Sequence, residues 1–199
     1  MEDTMGKEST RIKLIRAFAQ LLVENGYQAA TTSKTAKLAG ANEGSIFRIF
    51  KNKRGLLQAL IDQCMQDINS LQYKDIEKMT IEECLQKTAQ KYQAFMIKHQ
   101  ALVVVGVKES LELREVGEAI EEVSTHFKKV IEKILLEKAE SGCLSKKINP
   151  KIQANNFVWL NFGYFITNKR FKYTKAKTVE DQEDKVLKEH VLEYLKGII

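Results

Sequence analysis

Three cations follow a short apolar segment near the N-terminus. Lys51, Lys53 and Arg54 stand within four positions, around Asn52, which is a suitable N-cap for the helix that follows. The N-terminal end of a helix carries a positive partial charge, so cations are locally unfavourable there. A DNA phosphate reverses this preference, because it binds both the cations and the free amides of the first turn. The cluster therefore favours phosphate contacts, with a tolerated surface cluster as the alternative.

The net charge is concentrated in the same region. Of the formal net charge of +6, residues 1–54 supply +5, from ten Lys or Arg and five Asp or Glu, and residues 55–199 supply +1. A basic segment on a nearly neutral remainder indicates a polyanionic partner for that segment. A solvated basic face without a partner is the alternative.

The composition is that of a globular helical protein. The 199 residues are 44% hydrophobic and 29% charged, with one proline. Apolar residues recur mostly with the helical period, which predicts an all-α fold of about nine helices. No apolar run is long enough to cross a bilayer and the N-terminus is polar, so we expect a cytoplasmic protein without a membrane partner. Three cysteines without paired spacing are expected to be reduced.

Residues 31–50 predict two short helices joined by a turn. Ala36 is small where the helices would cross, and Gly40 tolerates the positive φ of the turn. Ile46 and Ile49 are spaced to pack the second helix against the first. The outward side of this second helix carries Asn42, Glu43, Ser45, Phe47 and Arg48. This is the geometry of a recognition helix in a major groove.

These residues resemble a known family. The matching positions are Thr31, Ala39-Gly40, Gly44-Ser45-Ile46-Phe47-Arg48-Ile49-Phe50, Lys53 and Leu56. Residues 11–62 are thus similar to the DNA-binding domain of the TetR family of bacterial repressors. The resemblance implies a three-helix DNA-binding domain at 1–55, with the helix-turn-helix at 31–50, and a larger helical regulatory domain at 56–199. Over this larger domain the resemblance is architectural only.

Four positions depart from the family pattern. Phe47 stands where a tyrosine is usual, and Ile49 replaces a polar aromatic residue, so two phosphate contacts are absent. Glu43 replaces a frequent lysine; it would accept from cytosine or simply favour the helix N-terminus. Gly55 replaces the usual glutamate, which leaves the fourth helix without a capping box.

The resemblance also implies roles on DNA. The outward residues of the second helix would meet base edges and the adjacent backbone. The residues expected to hold phosphates are Thr31, Ser33, Lys51, Lys53 and Arg54. A twofold dimer would bind a palindromic operator in double-stranded DNA, with its recognition helices about 34–36 Å apart.

The resemblance places a homodimer interface on the last two long helices, at 150–171 and 184–197. Independently, the first of these has more apolar surface than one core can cover, which argues for a partner; burial of both helices within one domain is the alternative. The residues predicted for the interface are Phe157, Asn161, Tyr164, Phe165, Val191, Tyr194 and Leu195.

A small-molecule effector pocket is also implied by the resemblance. The residues expected to line it are Tyr92, Phe95, Met96, His99, Phe127, Asn155, Trp159 and Phe162. Each is alternatively a core residue, and buried amides need partners of some kind. The expected effector is apolar or aromatic, and its binding would release a repressor from the operator. A DNA-bound regulator without a small ligand, acting through a protein partner, is the other interpretation.

Catalysis is not indicated. The histidines at 99, 126 and 190 are far apart, and the nucleophile, phosphate-binding and dinucleotide-binding motifs are missing. No cluster of Cys and His has metal-ligand spacing. We therefore expect no catalytic residues, no metal and no cofactor.

Overall fold

The computed structural model describes residues 2–73, 78–142, 144, 148–170 and 180–199. These residues form nine helices and no strand, which confirms the all-α prediction. The helices are α1 (Glu2–Ala29), α2 (Thr32–Ala39), α3 (Glu43–Phe50), α4 (Lys53–Ser70), α5 (Ile81–Lys98), α6 (Gln100–Glu109), α7 (Arg114–Glu140), α8 (Pro150–Arg170) and α9 (Glu180–Lys196). Within the described ranges, no helix combines the length and the apolar character needed to span a membrane.

The helices group into two compact units. The first unit contains Met1–Leu71 and His99–Val123, and the second contains Gln72–Lys98 and Ser124–Ile199. Packing thus joins α6 and the start of α7 to the N-terminal helices. The predicted division into a DNA-binding domain at 1–55 and a regulatory domain at 56–199 is a division by function and remains a prediction. The predicted dimer helix at 150–171 ends at a position outside the described residues.

The first unit is built around α1, which packs against α2, α4 and α6. Leu14, Phe18 and Leu22 recur every four residues along α1 and are fully buried, as the helical period requires. The helical conformation is interrupted at Gly26, where φ is 78° and ψ is 174°. A positive φ suits glycine because it has no Cβ. The interruption redirects Tyr27, which packs edge-on against Phe18.

The second unit is built around α5, which packs against α8 and α9. Its core also includes residues from the later part of α7, among them Ile131 and Leu135. Asn149 caps α8 by accepting a hydrogen bond from the Ile152 amide at 3.2 Å, and Pro150 occupies the first helical position. One face of α8, with Phe157 and Phe165, is buried in the unit.

Candidate nucleic-acid interface

Local hydrogen bonds hold α2 in place. Thr31 has an extended conformation, and its hydroxyl accepts from the Lys34 amide at 3.3 Å, as an N-cap does. Ala36 is buried, and Gly40 has the left-handed conformation, with φ 62° and ψ 35°. The chain therefore ends α2 and turns at the position that the sequence indicates.

The short helix α3 begins at another cap. The Oδ1 of Asn42 accepts from the Gly44 amide at 2.7 Å. Ile46 is fully buried, which anchors α3 against the unit. The second deeply buried residue is Phe50, whereas Ile49 is only half-buried. Phe50 lies four residues after Ile46, whereas Ile49 lies three after it. In the orientation that α3 adopts, the Phe50 ring points into the core and Ile49 lies at its edge.

The outer face of α3 carries the side chains predicted to read DNA. Phe47 is 52% exposed and Arg48 is exposed, so both are accessible to a ligand. Ser45 is half-buried. Glu43 is also half-buried, and it accepts a hydrogen bond from the Thr32 hydroxyl at 2.6 Å, which ties α3 to α2. Asn42 and Glu43 therefore have structural roles beside any contact with bases.

Three of the predicted phosphate ligands lie on the surface. Thr31, Ser33 and Lys51 are exposed. Lys51 has φ 68° and ψ −41°, and it is the one non-glycine residue with positive φ in the described part of the chain. Such a conformation costs on the order of 1–3 kcal/mol, and strained residues of this kind cluster at functional sites.

The other two predicted phosphate ligands make intramolecular contacts. The Nζ of Lys53 lies 4.1 Å from the centre of the Tyr27 ring and donates to the Gln28 carbonyl at 3.3 Å; its burial lowers the pKa of the ammonium group. Arg54 donates from Nε and Nη2 to the two carboxylate oxygens of Glu115, at 2.7 and 3.1 Å. Sequence reasoning missed Glu115, because it lies 61 positions from Arg54 and no local pattern marks it.

The start of α4 explains one departure from the family pattern. The Oδ1 of Asn52 accepts from the Gly55 amide at 3.0 Å, so a side-chain cap is present without a glutamate. A Cβ on Gly55 would lie 1.8 Å from the carbonyl oxygen of Phe50. Any side chain would therefore collide with the backbone at the end of α3.

A comparison with known families identifies this arrangement. The family described as bacterial regulatory proteins, tetR family, matches residues 14–60, which include α2, α3 and the start of α4. This part of the chain therefore matches the tetR family of bacterial regulatory proteins. Its helix-turn-helix is the DNA-binding element of this family.

The chain also resembles known regulators over most of its length. It is 27% identical over 197 residues to YvkB, an HTH-type transcriptional regulator of Bacillus subtilis (strain 168), covering 95% of this chain and 97% of the relative. It is 29% identical over 151 residues to the fatty acid metabolism regulator protein of the same strain, covering 73% and 76%. The crystal structure of FadR from Bacillus subtilis in complex with stearoyl-CoA has a TM-score of 0.68 and 22% identity, covering 94% of this chain and 99% of FadR.

The residues predicted for a dimer interface are mostly internal to the second unit. Phe157, Asn161, Phe165, Val191 and Leu195 are buried in the single chain, and Tyr164 and Tyr194 are half-buried. The exposed apolar side chains on α8 are Ile152, Trp159 and Leu160, at 54%, 63% and 44%. Their spacing of seven and eight residues puts them on one face of the helix.

An open groove of about 660 Å³ lies along this face. Its lining residues are Gln153, Asn156, Trp159, Leu160, Gly163, Tyr194, Gly197 and Ile198. Trp159, predicted to contact an effector, therefore lies at a surface groove, whereas most of the residues predicted for the interface fill the core.

The predicted effector residues divide between the two units. Tyr92, Phe95, Met96 and Phe127 are buried in the second unit, where the ring centres of Tyr92 and Phe95 lie 4.7 and 5.9 Å from that of Phe127. His99 is in the first unit, with its Nε2 2.9 Å from Oδ2 of Asp67 on α4. Asn155 and Phe162 are half-buried on α8.

Two polar groups beside the aromatic cluster were not found from the sequence. The Nε2 of His126 and the hydroxyl of Tyr73 are buried, and neither has a hydrogen-bond partner among the residues described. Their ring centres are 6.3 Å apart, and the His126 ring is 5.8 Å from Phe127. Burial lowers the pKa of His126 and raises that of Tyr73, so both groups are neutral near pH 7. Buried polar atoms normally have partners, so this corner of the unit has unused hydrogen-bonding capacity.

Proposed function

We propose that this TetR-family regulator is a homodimeric repressor that binds a palindromic operator and is released by a small effector with a long apolar part. A fatty acyl-CoA is the first effector to test. The protein would act in the cytoplasm. The outer face of α3 is the observation that carries the proposal: Phe47 and Arg48 project from a helix whose other side is anchored by Ile46.

The chemistry of this face suits DNA. The guanidinium of Arg48 would donate to guanine O6 and N7 in the major groove, and the ring of Phe47 would contact a thymine methyl group. Thr31, Ser33 and Lys51 would hold adjacent phosphates and fix the register. Asn42 and Glu43 would support α3 through their hydrogen bonds.

The exposed face of α8 supports a dimer. Ile152, Trp159 and Leu160 form an apolar stripe on a helix whose opposite side is already buried. Exposed stripes of this kind mark interfaces, and a second copy of the same stripe would cover it with twofold symmetry. We therefore assign the interface to this stripe and the neighbouring groove, and not to the buried residues that the sequence suggested.

The interface assignment can be tested with a matched pair of variants. Leu160→Glu introduces a charge on the stripe, and Leu136→Glu introduces one on α7 at a leucine of similar exposure, 46% against 44%. Sedimentation velocity should show a dimer for the wild type and for Leu136→Glu, and a monomer for Leu160→Glu. A dimer in all three proteins would refute the assignment.

The second unit supports an effector with an acyl chain. Tyr92, Phe95 and Phe127 provide an apolar aromatic environment, and the unpartnered atoms of Tyr73 and His126 would bind a polar group at one end of the chain. The comparisons point in the same direction, since one relative is named a fatty acid metabolism regulator and FadR was solved with stearoyl-CoA.

A displacement assay tests the effector class. An operator would first be selected from a random duplex library and labelled with fluorescein. Addition of stearoyl-CoA should lower the anisotropy of the complex, whereas coenzyme A alone should not. Retention of the complex at saturating acyl-CoA would overturn this effector class and favour a regulator that responds to a protein partner.

A further inference from the structure

The bidentate pair between Arg54 and Glu115 bears directly on the DNA interface. Arg54 is the second residue of α4, and its side chain is 67% exposed, whereas that of Glu115 is 22% exposed. The two hydrogen bonds raise the pKa of the guanidinium and lower that of the carboxyl, so both groups stay charged. While the pair is closed, the charge of Arg54 is neutralised by a carboxylate of its own chain.

A second carboxylate acts on the neighbouring cation. Glu109, at the end of α6, accepts a hydrogen bond from the Tyr27 amide at 3.1 Å through Oε1. Lys53 lies over the ring of the same Tyr27; burial lowers the pKa of its ammonium group, and the negative charge of Glu109 partly offsets this effect. Two acidic residues that flank the connection between α6 and α7 therefore act on the two cations that begin α4.

A phosphate and Glu115 compete for the same donors. Carboxylate and phosphate both present two oxygens to the planar fork of a guanidinium group, so each is a bidentate partner for Arg54. The N-terminal end of α4 adds its own attraction for a phosphate. The exchange of one anion for the other keeps Arg54 paired throughout.

We propose that Glu115 is a positioning residue of the DNA interface, which holds Arg54 in the free protein and yields it to a phosphate when DNA binds. This inference rests on the proposed DNA-binding role of α3 and α4. Because Glu115 lies in the first turn of α7 and this helix continues to Glu140, a movement of α7 would change the availability of Arg54.

The test uses a fluorescein-labelled 30-base-pair duplex of mixed sequence, because phosphate contacts do not require an operator. Glu115→Gln should bind this duplex about two- to fivefold more tightly than the wild type, the range expected for removal of an exposed competing ion pair. Glu118→Gln is the matched control, since Glu118 lies one turn further along α7 and pairs with Arg114. It should change affinity by less than Glu115→Gln does.

A double-mutant cycle separates positioning from a general charge effect. In an Arg54→Gln background, Glu115→Gln should bring no gain beyond that of Glu118→Gln. Arg54→Gln should also make the slope of log affinity against log salt shallower by about 0.9, and a partly unfolded sample would not produce this change. Circular dichroism would confirm that each variant folds.

Each other outcome is decisive. An unchanged or weaker affinity for Glu115→Gln overturns the inference, as does a gain that persists without Arg54. Failure of the wild type to bind any duplex at low salt overturns the proposed function itself. The two failures are therefore distinguishable.

Discussion

The close approach of Gly55 to the end of α3 predicts that a side chain at this position lowers the free energy of unfolding. Gly55→Ala would place a Cβ 1.8 Å from the carbonyl oxygen of Phe50 and 2.9 Å from its carbonyl carbon. Ordinary van der Waals contact begins at 3.4 Å, so the two backbone segments must move apart by about 1.6 Å along this line. No side-chain rotation relieves the collision, because both partners belong to the main chain.

The expected cost follows from what resists this movement. Phe50 and Leu56 are buried on either side of the turn, and Asn52 caps α4 through the amide of Gly55 itself. Overpacking of this kind costs about 1–3 kcal/mol, occasionally more. Because the obstacle is backbone, we expect a loss at the upper end, about 3 kcal/mol. The displacement would also move α3, so affinity for DNA should fall.

Urea unfolding followed by far-UV circular dichroism measures the loss. Gly117→Ala, in α7, is the control. The new Cβ would make only ordinary contacts, at 3.4 and 3.5 Å from atoms of Ser110. In a helix interior this exchange should stabilise by up to about 1 kcal/mol. If Gly55→Ala is as stable as the wild type, or is more stable as the control is expected to be, the close approach of α3 and α4 is refuted.

Three further predictions concern single groups. Burial lowers the pKa of His126 and His190, so both side chains are neutral in the folded protein. The free energy of unfolding should therefore fall as the pH drops below about 6.5, where the unfolded chain binds protons at these positions. In urea titrations between pH 7 and 5, the double variant with Asn at both positions should show a weaker decline. Burial raises the pKa of the Cys64 thiol to about 12, so iodoacetamide should label Cys64 far more slowly in the native than in the unfolded protein, as read by peptide mass. Lys51→Gly should relieve the positive φ and raise the free energy of unfolding by up to about 1 kcal/mol, and a loss of stability would contradict this.

The helix-turn-helix was predictable because its signals are local. The small residue Ala36 and the turn at Gly40 lie four residues apart, and the structure buries the first and gives the second its left-handed conformation. The sequence did not predict which cations already have partners within the chain and which are open to a phosphate. Lys53 and Arg54 look alike in sequence, and their partners Tyr27 and Glu115 are brought to them only by packing.

The two faces of α8 illustrate a second limit. The helix is apolar on nearly every side, so its pattern does not distinguish the buried face from the exposed one. Packing against α5 decides this: Phe157 and Phe165 are inside, whereas Trp159 and Leu160 are outside. Gly55 shows a third limit, because the sequence marks only a missing glutamate, while the structure shows that no side chain fits there.

The central claim is that two copies of α3 read a palindromic site in DNA. Selection from a random duplex library with the wild-type protein tests it most directly. We expect enrichment of an inverted repeat whose half-sites are about one helical turn apart, and loss of that preference in the Arg48→Ala variant. Enrichment of no sequence, or of a single half-site without symmetry, would contradict it.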